Sequence, residues 1–448
     1  MTRHPLMARP SAPLPLRSSA FRRYLLGQLV SVPCSWAQVV ALAWVVVDLA
    51  PAAMGWVVTL QFLPSLLLGP WFGAVADRYD RRRLLMAAEA GLGLVALAYA
   101  AASMAGVLTL PVVCLLSAIW GVVNALDTPA RRALVPMLVP PAHAPGAAAL
   151  SGTVMLAGMT AGSGLGALAL AHVGVTATFA LNALSFLADV ALLATIRVGP
   201  SPRLARAPRQ IRDGLRYLWH APRLRTPLVA LAVVATFAAT FQVTVPIFIR
   251  AAFDGGASLI GTAFTAVTAG SLVGTLAAAA RGMPGRHTMA RTNLAMVAAM
   301  IVTATAPTAP IALVGLAGIG IAWSFFLMSV IAVLQTGEPA MMGRVMSLFA
   351  LVMLGGTAVG GPIASALTTV AGVRAPFALG ATAAAVAVAV SWRHAAGSAD
   401  RAGQHVTAVD AGQCCALSQP SQARAFWKRR SQGPYSPSPP AGAAGGPG

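Results

Sequence analysis

The sequence predicts an all-α membrane protein in which twelve transmembrane helices form two pseudo-repeated halves of six helices. Two observations about composition and pattern predict this fold. Only 9% of the 448 residues are charged, 57% are hydrophobic, and the mean hydropathy is +0.75. A soluble chain of this length needs a far more polar surface. In addition, apolar segments of roughly 20 residues, the length that crosses a bilayer, recur along the chain and are separated by short or arginine-rich connections.

The apolar segments define the predicted elements in chain order. Twelve spans are expected at 21–48, 55–76, 84–105, 109–128, 146–171, 175–196, 227–250, 258–280, 289–306, 310–334, 343–371 and 374–393. The ninth is the weakest, because it is short and is bounded at its end by Pro307 and Pro310. The expected domains are a cytoplasmic lead (1–20), a first six-helix half (21–196), a cytoplasmic linker (197–226), a second half (227–393) and a disordered cytoplasmic tail (394–448).

The distribution of basic residues predicts the orientation and excludes a nucleic-acid-binding protein. The net charge is +20, but the arginines lie in connections between spans rather than on one face. If the N-terminus is cytoplasmic, all of the 31 lysine and arginine residues except Arg250 and Arg374 fall on the cytoplasmic side. This bias follows the positive-inside rule. We therefore expect a multi-pass protein of the inner (cytoplasmic) membrane with both termini in the cytoplasm.

The linker 197–226 contains eight arginines and an amphipathic stretch at Gln210–His220. Such a stretch is typical of a helix that lies along a membrane surface. Its arginines are either topology determinants or ligands of anionic lipid headgroups.

Glycines recur in the fifth and eleventh spans at spacings that allow close helix packing. The expected packing residues are Gly158, Gly162, Gly166, Gly356, Gly360 and Pro362. Glycine-rich helices at matching places in two six-span halves indicate a parallel repeat.

The loop between the second and third spans is a dense cluster of charges, Gly73 to Arg83. Its pattern, Gly-x₃-Asp-Arg-x-x-Arg-Arg-Arg, resembles the loop between helices 2 and 3 of the major facilitator superfamily. Asp80 stands where that family has a second glycine. The matching residues are Gly73, Asp77, Arg78, Arg81, Arg82 and Arg83.

The resemblance implies that this loop controls the change between access states. In the family, the first aspartate lies against the N-terminus of helix 11, which carries a partial positive charge. By resemblance, Asp77 locks the two halves together with Arg344 as a partner. The alternative is that these arginines only enforce topology.

Polar side chains inside the spans are candidates for the wall of a central cavity, because polar groups that face lipid are costly. Helices 1, 4, 7 and 10 line the cavity in the family. The candidates are Ser35, Gln38, Asn124, Thr240 and Trp323.

Acidic residues inside membrane spans are candidates for proton binding. Here they are Asp48, Glu89, Asp127 and Asp189. Drug antiporters of the family often carry an arginine in helix 4, four residues before a glycine. Ser117 occupies that position here, four residues before Gly121.

The segments Asp127–Pro136 and Phe179–Leu187 resemble the enterobactin-exporter-like branch of proton-driven efflux carriers. The resemblance implies a secondary transporter that exports a small amphipathic molecule, such as a drug-like compound or a siderophore, by proton antiport. Uptake, facilitated diffusion and a non-transporting sensor or scaffold are the alternatives.

The expected partners are a small-molecule substrate, protons and membrane lipids, with no nucleic acid. We expect a monomer that is not an enzyme and needs no cofactor or metal. The chain lacks a phosphate-binding loop of the Gly-x₄-Gly-Lys-Ser/Thr type, so direct ATP drive is not expected.

Overall fold

The structure, a computed structural model, describes residues 15–198, 210–281, 288–338 and 341–392. The side chains of Pro70, Ala74, Ala76, Asp77 and residues 210–214 lie outside this description. The predicted tail, most of the predicted lead and residues 199–209 of the linker also lie outside it. The described residues up to Trp392 form one compact unit. The boundaries of the two predicted halves stay predictions.

The described residues form helices and turns without a strand, which confirms the predicted all-α class. Six helices make up the first part of the bundle: α1 (Ser19–Leu49), α2 (Met54–Arg78), α3 (Arg81–Met104), α4 (Leu110–Leu134), α5 (Ala144–His172) and α6 (Gly174–Ala194). The rest are α7 (Gln210–His220), α8 (Pro222–Phe237), α9 (Phe241–Phe253), α10 (Ala257–Arg281), α11 (Thr288–Thr305), α12 (Ala309–Leu334), α13 (Met342–Ala371) and α14 (Ala375–Trp392).

Eleven helical segments in the described part of the chain are long and apolar enough to cross a membrane, with α8 and α9 together counted as one crossing. The helix that falls short is α11, which has 18 residues and coincides with the weak ninth predicted span. Arg291 and Asn293 lower its hydropathy. Because α11 packs along the strongly apolar α12, it completes the twelve expected helices.

The helices pack within two sets, the first six and those that follow, and the two sets also contact each other. Within the first six helices, α1 packs between α5 and α6, and α3 packs between α4 and α6. Farther along, α12 packs against both α10 and α11, and α8 packs against α13. The two sets meet where α5 packs against α10 and α2 packs against α13.

The glycines of α5 and α13 lie where helix backbones approach each other. Gly158, Gly162 and Gly166 face α1, and a Cβ added at Gly162 would lie 2.7 Å from Cα of Pro33. In α13, Gly356 and Gly360 face α8 in the same way. Pro362 follows inside α13.

Two glycines of α5 provide a matched test of this packing. We expect Gly162→Ala to destabilise the protein by about 1–3 kcal/mol, because the added methyl group collides with backbone atoms of α1. A Cβ at Gly152 meets no atom within 4 Å. Gly152→Ala is therefore expected to stabilise the helix by up to about 1 kcal/mol. Thermal unfolding in detergent measures both, and equal effects would contradict the packing.

Candidate functional site

A central cavity lies among α1, α2, α5, α10, α12, α13 and the junction of α8 with α9. Its volume is about 170 Å³. Aromatic side chains dominate its wall, and Phe241 and Trp323 meet edge to face with ring centroids 6.3 Å apart. The lining residues are Trp36, Val58, Phe62, Met159, Ala239, Thr240, Phe241, Gln242, Val243, Phe264, Val267, Thr268, Ser271, Trp323, Thr357 and Gly361.

The seventh crossing is interrupted beside this cavity. Helix α8 ends at Phe237 and α9 begins at Phe241, so residues 238–240 break the helical hydrogen-bond ladder. Thr240 is the N-cap residue of α9, but its hydroxyl makes no capping bond. Pro246 has no N–H to donate to the carbonyl oxygen of Gln242, four residues earlier. The carbonyl oxygen of Gln242 and the first N–H groups of α9 therefore lack a partner within the helix, and their residues line the cavity wall.

The five residues expected at the cavity are divided by the structure. Thr240 and Trp323 line the cavity, whereas Asn124 is half-buried in α4 and does not line it. Ser35 and Gln38 belong instead to the interface of α1 with α6. They bond to Asn182, whose amide donates to Oε1 of Gln38 at 2.8 Å and whose Oδ1 accepts from Ser35 at 3.2 Å. Neither residue lines this cavity, because a polar partner on α6 bonds to both, and their expected role there stays a prediction.

A second feature is a buried cluster of charged side chains, hereafter the acidic cluster: Glu89 of α3, Asp127 and Arg131 of α4, and Asp189 of α6, whose carboxyl group lies beside that of Glu89. Arg131 Nη2 donates to Asp127 Oδ1 at 3.0 Å and also forms an ion pair with Oε1 of Glu89. The Glu89 side chain is fully buried. Three of the four acids predicted for proton binding therefore lie together.

Asp189 is the least satisfied member of the acidic cluster. The residue is 1% exposed, and neither carboxylate oxygen has a hydrogen-bond partner. Its carboxyl group lies directly against Gly27 of α1, where a Cβ would overlap its Oδ1 atom. Glycine at this position therefore makes room for the carboxyl group. An unpartnered buried carboxylate costs several kcal/mol when ionised.

The fourth predicted acid, Asp48, lies apart from the acidic cluster. It is exposed in the last turn of α1, at the other end of that helix from Gly27. Ser117, at the position of the expected helix-4 arginine, is buried and bonds to the Tyr99 hydroxyl at 2.9 Å. The cationic partner in this structure is Arg131, which lies 14 positions further along the chain than Ser117.

The charged loop between α2 and α3 has a structural part that the sequence comparison did not predict. Asp80 is the N-cap of α3 and accepts from the backbone N–H groups of Arg82 and Arg83 at 2.9 and 3.1 Å. The side chain of Arg82 donates to the carbonyl oxygen of Leu193 at 2.7 Å and also to that of Ala194. A cation at a helix C-terminus is stabilising, so Arg82 ties α3 to the end of α6.

The other residues of the expected gate have varied surroundings. Gly73 is buried in α2, while Arg78 and Arg83 are exposed. The guanidinium of Arg81 contacts Sδ of Met137. Arg344 lies in the first turn of α13. The side chain of Asp77 lies outside the described part, so its pairing with Arg344 stays a prediction.

Helix α2, from the first six helices, and helix α13, from the later ones, contact each other at one end of the bundle. We call the end where α1 begins and α2 turns into α3 the arginine-rich end. At the opposite end, Thr59 of α2 donates to the carbonyl oxygen of Ala358 at 2.7 Å, and Ser365 of α13 donates to that of Ala52 at 2.7 Å. A Cβ at Gly55 would collide with Gly361. These contacts hold α2 against α13 at the end of the bundle away from the arginine-rich end.

Sequence reasoning missed three residues of these sites. Arg131 is four residues after Asp127 on one helix, and this i, i+4 spacing was the available signal. Gln242 and Trp36 line the cavity, but many polar and aromatic residues of the spans have the same sequence context. Their identification needed the three-dimensional packing.

A bundle of apolar helices around a central cavity is the architecture that the sequence predicted for a transporter of the major facilitator superfamily. The family model described as transmembrane secretion effector matches residues 10–410, and the chain belongs to this family.

Two curated relatives are similar over part of the chain. An MFS-type transporter, YfiS, of Bacillus subtilis (strain 168) is 26% identical over 220 residues, which are 47% of this chain and 52% of the relative. The staphyloferrin A transporter of Staphylococcus aureus (strain NCTC 8325 / PS 47) is 24% identical over 252 residues, 54% of this chain and 62% of the relative. The matched part thus spans between half and two thirds of these relatives.

Solved structures share the fold. The inward-facing, unoccupied form of a bacterial homologue of the human lysosomal transporter Spinster aligns with a TM-score of 0.68 at 13% identity, covering 87% of this chain and 98% of that one. A D-xylose–proton symporter aligns with a TM-score of 0.68 at 14% identity, covering 84% and 98%. At these identities the similarity concerns the fold alone. The predicted fold and superfamily are confirmed.

Proposed function

We propose that this transporter exports a small amphipathic molecule in exchange for protons by alternating access, and that the acidic cluster carries the proton. The observation that carries this proposal is the imbalance of three carboxyl groups against one guanidinium. With all three ionised, the cluster would hold two uncompensated negative charges away from water, which is costly. Each bound proton removes one of these charges, and its release requires access to water, so the cluster suits a site that loads and unloads protons.

The location of the cluster supports coupling to a conformational change. It joins α1, α3, α4 and α6, and Asp189 lies against Gly27 of the helix that also places Trp36 in the cavity wall. Gain or loss of a proton at Asp189 therefore changes the contact between α6 and α1. Coupling requires an element with two conformations whose equilibrium is shifted both by the proton at the cluster and by the substrate in the cavity.

We propose that the protein lies in the inner membrane with its arginine-rich end in the cytoplasm. Arginines concentrate in connections at that end, in accordance with the positive-inside rule. The contacts that close the opposite end then favour a state open towards the cytoplasm, from which an exporter loads its substrate. One relative is by its name a staphyloferrin A transporter, which is compatible with a siderophore-like substrate here.

Transport into inverted membrane vesicles tests the direction and the coupling. Vesicles from cells that overproduce the protein are loaded to be acidic inside and offered a panel of neutral, anionic and cationic fluorescent amphipathic dyes. We expect at least one dye to accumulate in the lumen only while the gradient lasts. Accumulation that ignores the gradient would favour facilitated diffusion, and the absence of flux for every dye would favour a sensor or scaffold.

We also propose that the linker helix α7, together with the first turn of α8, binds anionic lipid headgroups. Trp219 is 67% exposed, and the guanidinium of Arg225 lies 5.7 Å from the centre of its ring. Leu218 is buried, and the hydroxyl of Tyr217 accepts from the backbone N–H of Glu338 at 3.2 Å. The helix is thus anchored on one side and presents aromatic and basic groups on the other, as in helices that lie in a membrane interface.

The double variant Arg223→Gln/Arg225→Gln is expected to weaken the effect of anionic lipid. Each arginine near an anionic surface contributes about 1 kcal/mol. The thermal stabilisation of purified protein by phosphatidylglycerol should fall in the double variant and stay unchanged in Arg132→Gln, which removes an exposed arginine from the last turn of α4. Equal stabilisation of all three proteins would contradict lipid binding where α7 meets the first turn of α8.

A further inference from the structure

We propose that the cavity takes an uncharged, ring-bearing molecule whose hydrogen-bond-accepting group, a carbonyl or amide oxygen, lies at the N-terminus of α9. The proposal rests on the proposed transport function and names its substrate class. Three properties of the cavity wall support the proposal: its lack of charged residues, its aromatic side chains and its hydrogen-bond donors.

The charge of the wall argues for a neutral ligand. None of the 16 residues that line the cavity is charged. The acidic cluster is held between α1, α3, α4 and α6, and it contributes no residue to the wall. A carboxylate or ammonium group moved into this cavity would lose its hydration without gaining a counter-ion, and such a loss costs several kcal/mol. The wall therefore favours a molecule with no net charge.

The aromatic side chains of the wall favour a ring. Five of the lining side chains are Trp or Phe, and they come from α1, α2, α9, α10 and α12. Trp323 meets Phe241 edge to face and is tilted 45° against Phe326, so its orientation is fixed from two sides. Aromatic pairs contribute beyond the area that they bury. The volume of about 170 Å³ is smaller than the ~300–1,000 Å³ of pockets for drug-sized ligands. A compound of one or two rings is the size that fits.

The polar end of the cavity includes several hydrogen-bond donors. The N–H groups of Phe241 and Gln242 are at the first two positions of α9, where an α-helix offers no internal acceptor. Thr240 is 4% exposed, lines the cavity and leaves its hydroxyl uncommitted to the helix cap. The Gln242 amide adjoins them on the wall.

These donors select an acceptor without a full charge. A helix N-terminus carries about half an elementary charge, which stabilises a carbonyl dipole but does not neutralise a carboxylate. A neutral ligand with a carbonyl oxygen satisfies the donors, whereas one that lacks an acceptor leaves them unpaired at a cost of about 1–3 kcal/mol. The donors at the break in the seventh crossing therefore select the polar group of the substrate.

Three probes with one ring system test the charge class. Purified protein in detergent is titrated calorimetrically with 2-naphthamide, 2-naphthoate and (2-naphthylmethyl)trimethylammonium. We expect the amide to bind at least about tenfold more tightly than either ion, from the cost of an unpaired charge. Preference for the carboxylate or the ammonium would overturn the neutral class, and so would failure of all three probes to bind.

Variants locate the ring and the acceptor. Trp323→Ala and Gln242→Ala should each weaken 2-naphthamide binding about tenfold. The matched controls are Trp56→Ala, an exposed tryptophan of α2, and Gln335→Ala, an exposed glutamine after α12, and both should bind within twofold of the parent. Gln242→Glu should bind the ammonium probe more tightly and the amide less tightly, which keeps the test independent of lost folding. An unchanged order of probes in Gln242→Glu would contradict the assignment.

The binding assay needs no membrane and no gradient. Failure of proton-driven export in vesicles would thus leave the neutral-ligand inference standing if the amide binds. Failure of binding with intact transport of a charged dye would overturn the inference alone.

Discussion

Replacement of Arg131 by glutamine is expected to destabilise the protein by about 3–5 kcal/mol, because it leaves buried carboxylates without their cationic partner. Arg131 bonds both oxygens of Asp127, at 3.0 and 3.2 Å, and pairs with the fully buried Glu89. Thermal unfolding in detergent should show a clear drop in midpoint, and transport should be lost.

The neighbouring arginine is the control for this expectation. Arg132 is exposed on the same helix end, so Arg132→Gln should leave the unfolding midpoint almost unchanged. The double variant Glu89→Gln/Arg131→Gln removes the charge together with its partner and should recover part of the lost stability. If Arg131→Gln is as stable as Arg132→Gln, the acidic cluster does not depend on the guanidinium and the account of it is wrong.

Asp189→Asn is expected to have the opposite effect on stability and an equally large effect on coupling. Both oxygens of Asp189 lack a hydrogen-bond partner at 1% exposure. A neutral side chain of the same size should therefore keep or raise the unfolding midpoint, because the cost of an unpaired buried charge disappears. Proton-driven accumulation of substrate should fall more than about tenfold, since one proton-binding group is lost.

Asp48→Asn is the matched control, because Asp48 is exposed and separate from the acidic cluster. It should transport like the parent protein. A stable Asp189→Asn protein with normal gradient-driven accumulation would show that the proton binds elsewhere, and Glu89 or Asp127 would then have to be tested in the same way.

The sequence was sufficient to predict the membrane class because hydropathy acts over whole helices. Ten of the predicted spans coincide closely with long helices, and α11 is recognisable despite Arg291 because Pro307 and Pro310 mark its end. The break after Phe237 was not predicted, since no glycine or proline interrupts residues 237–241. Helix α8 therefore ends at a place where the sequence has no residue that typically ends a helix.

The candidate site was predictable only where one helix carries its own signal. Asp127 and Arg131 lie one helical turn apart, so their spacing in the sequence predicts that they pair. The partnership of Arg131 with Glu89 and the contact of Asp189 with Gly27 depend on how α1, α3, α4 and α6 pack. The polar stripe of α1 shows the same limit, because Gln38 is satisfied by Asn182 from a helix that is distant in the chain.

Proton movement driven by the substrate tests the central proposal most directly. Proteoliposomes that contain the protein and a trapped pH-sensitive dye are given substrate on the outside, with no initial pH gradient. Antiport predicts that substrate entry drives protons out and makes the lumen alkaline, and that Asp189→Asn abolishes the signal. An acidified lumen would show symport, and substrate entry without a pH change would show uncoupled transport; either result would contradict proton antiport.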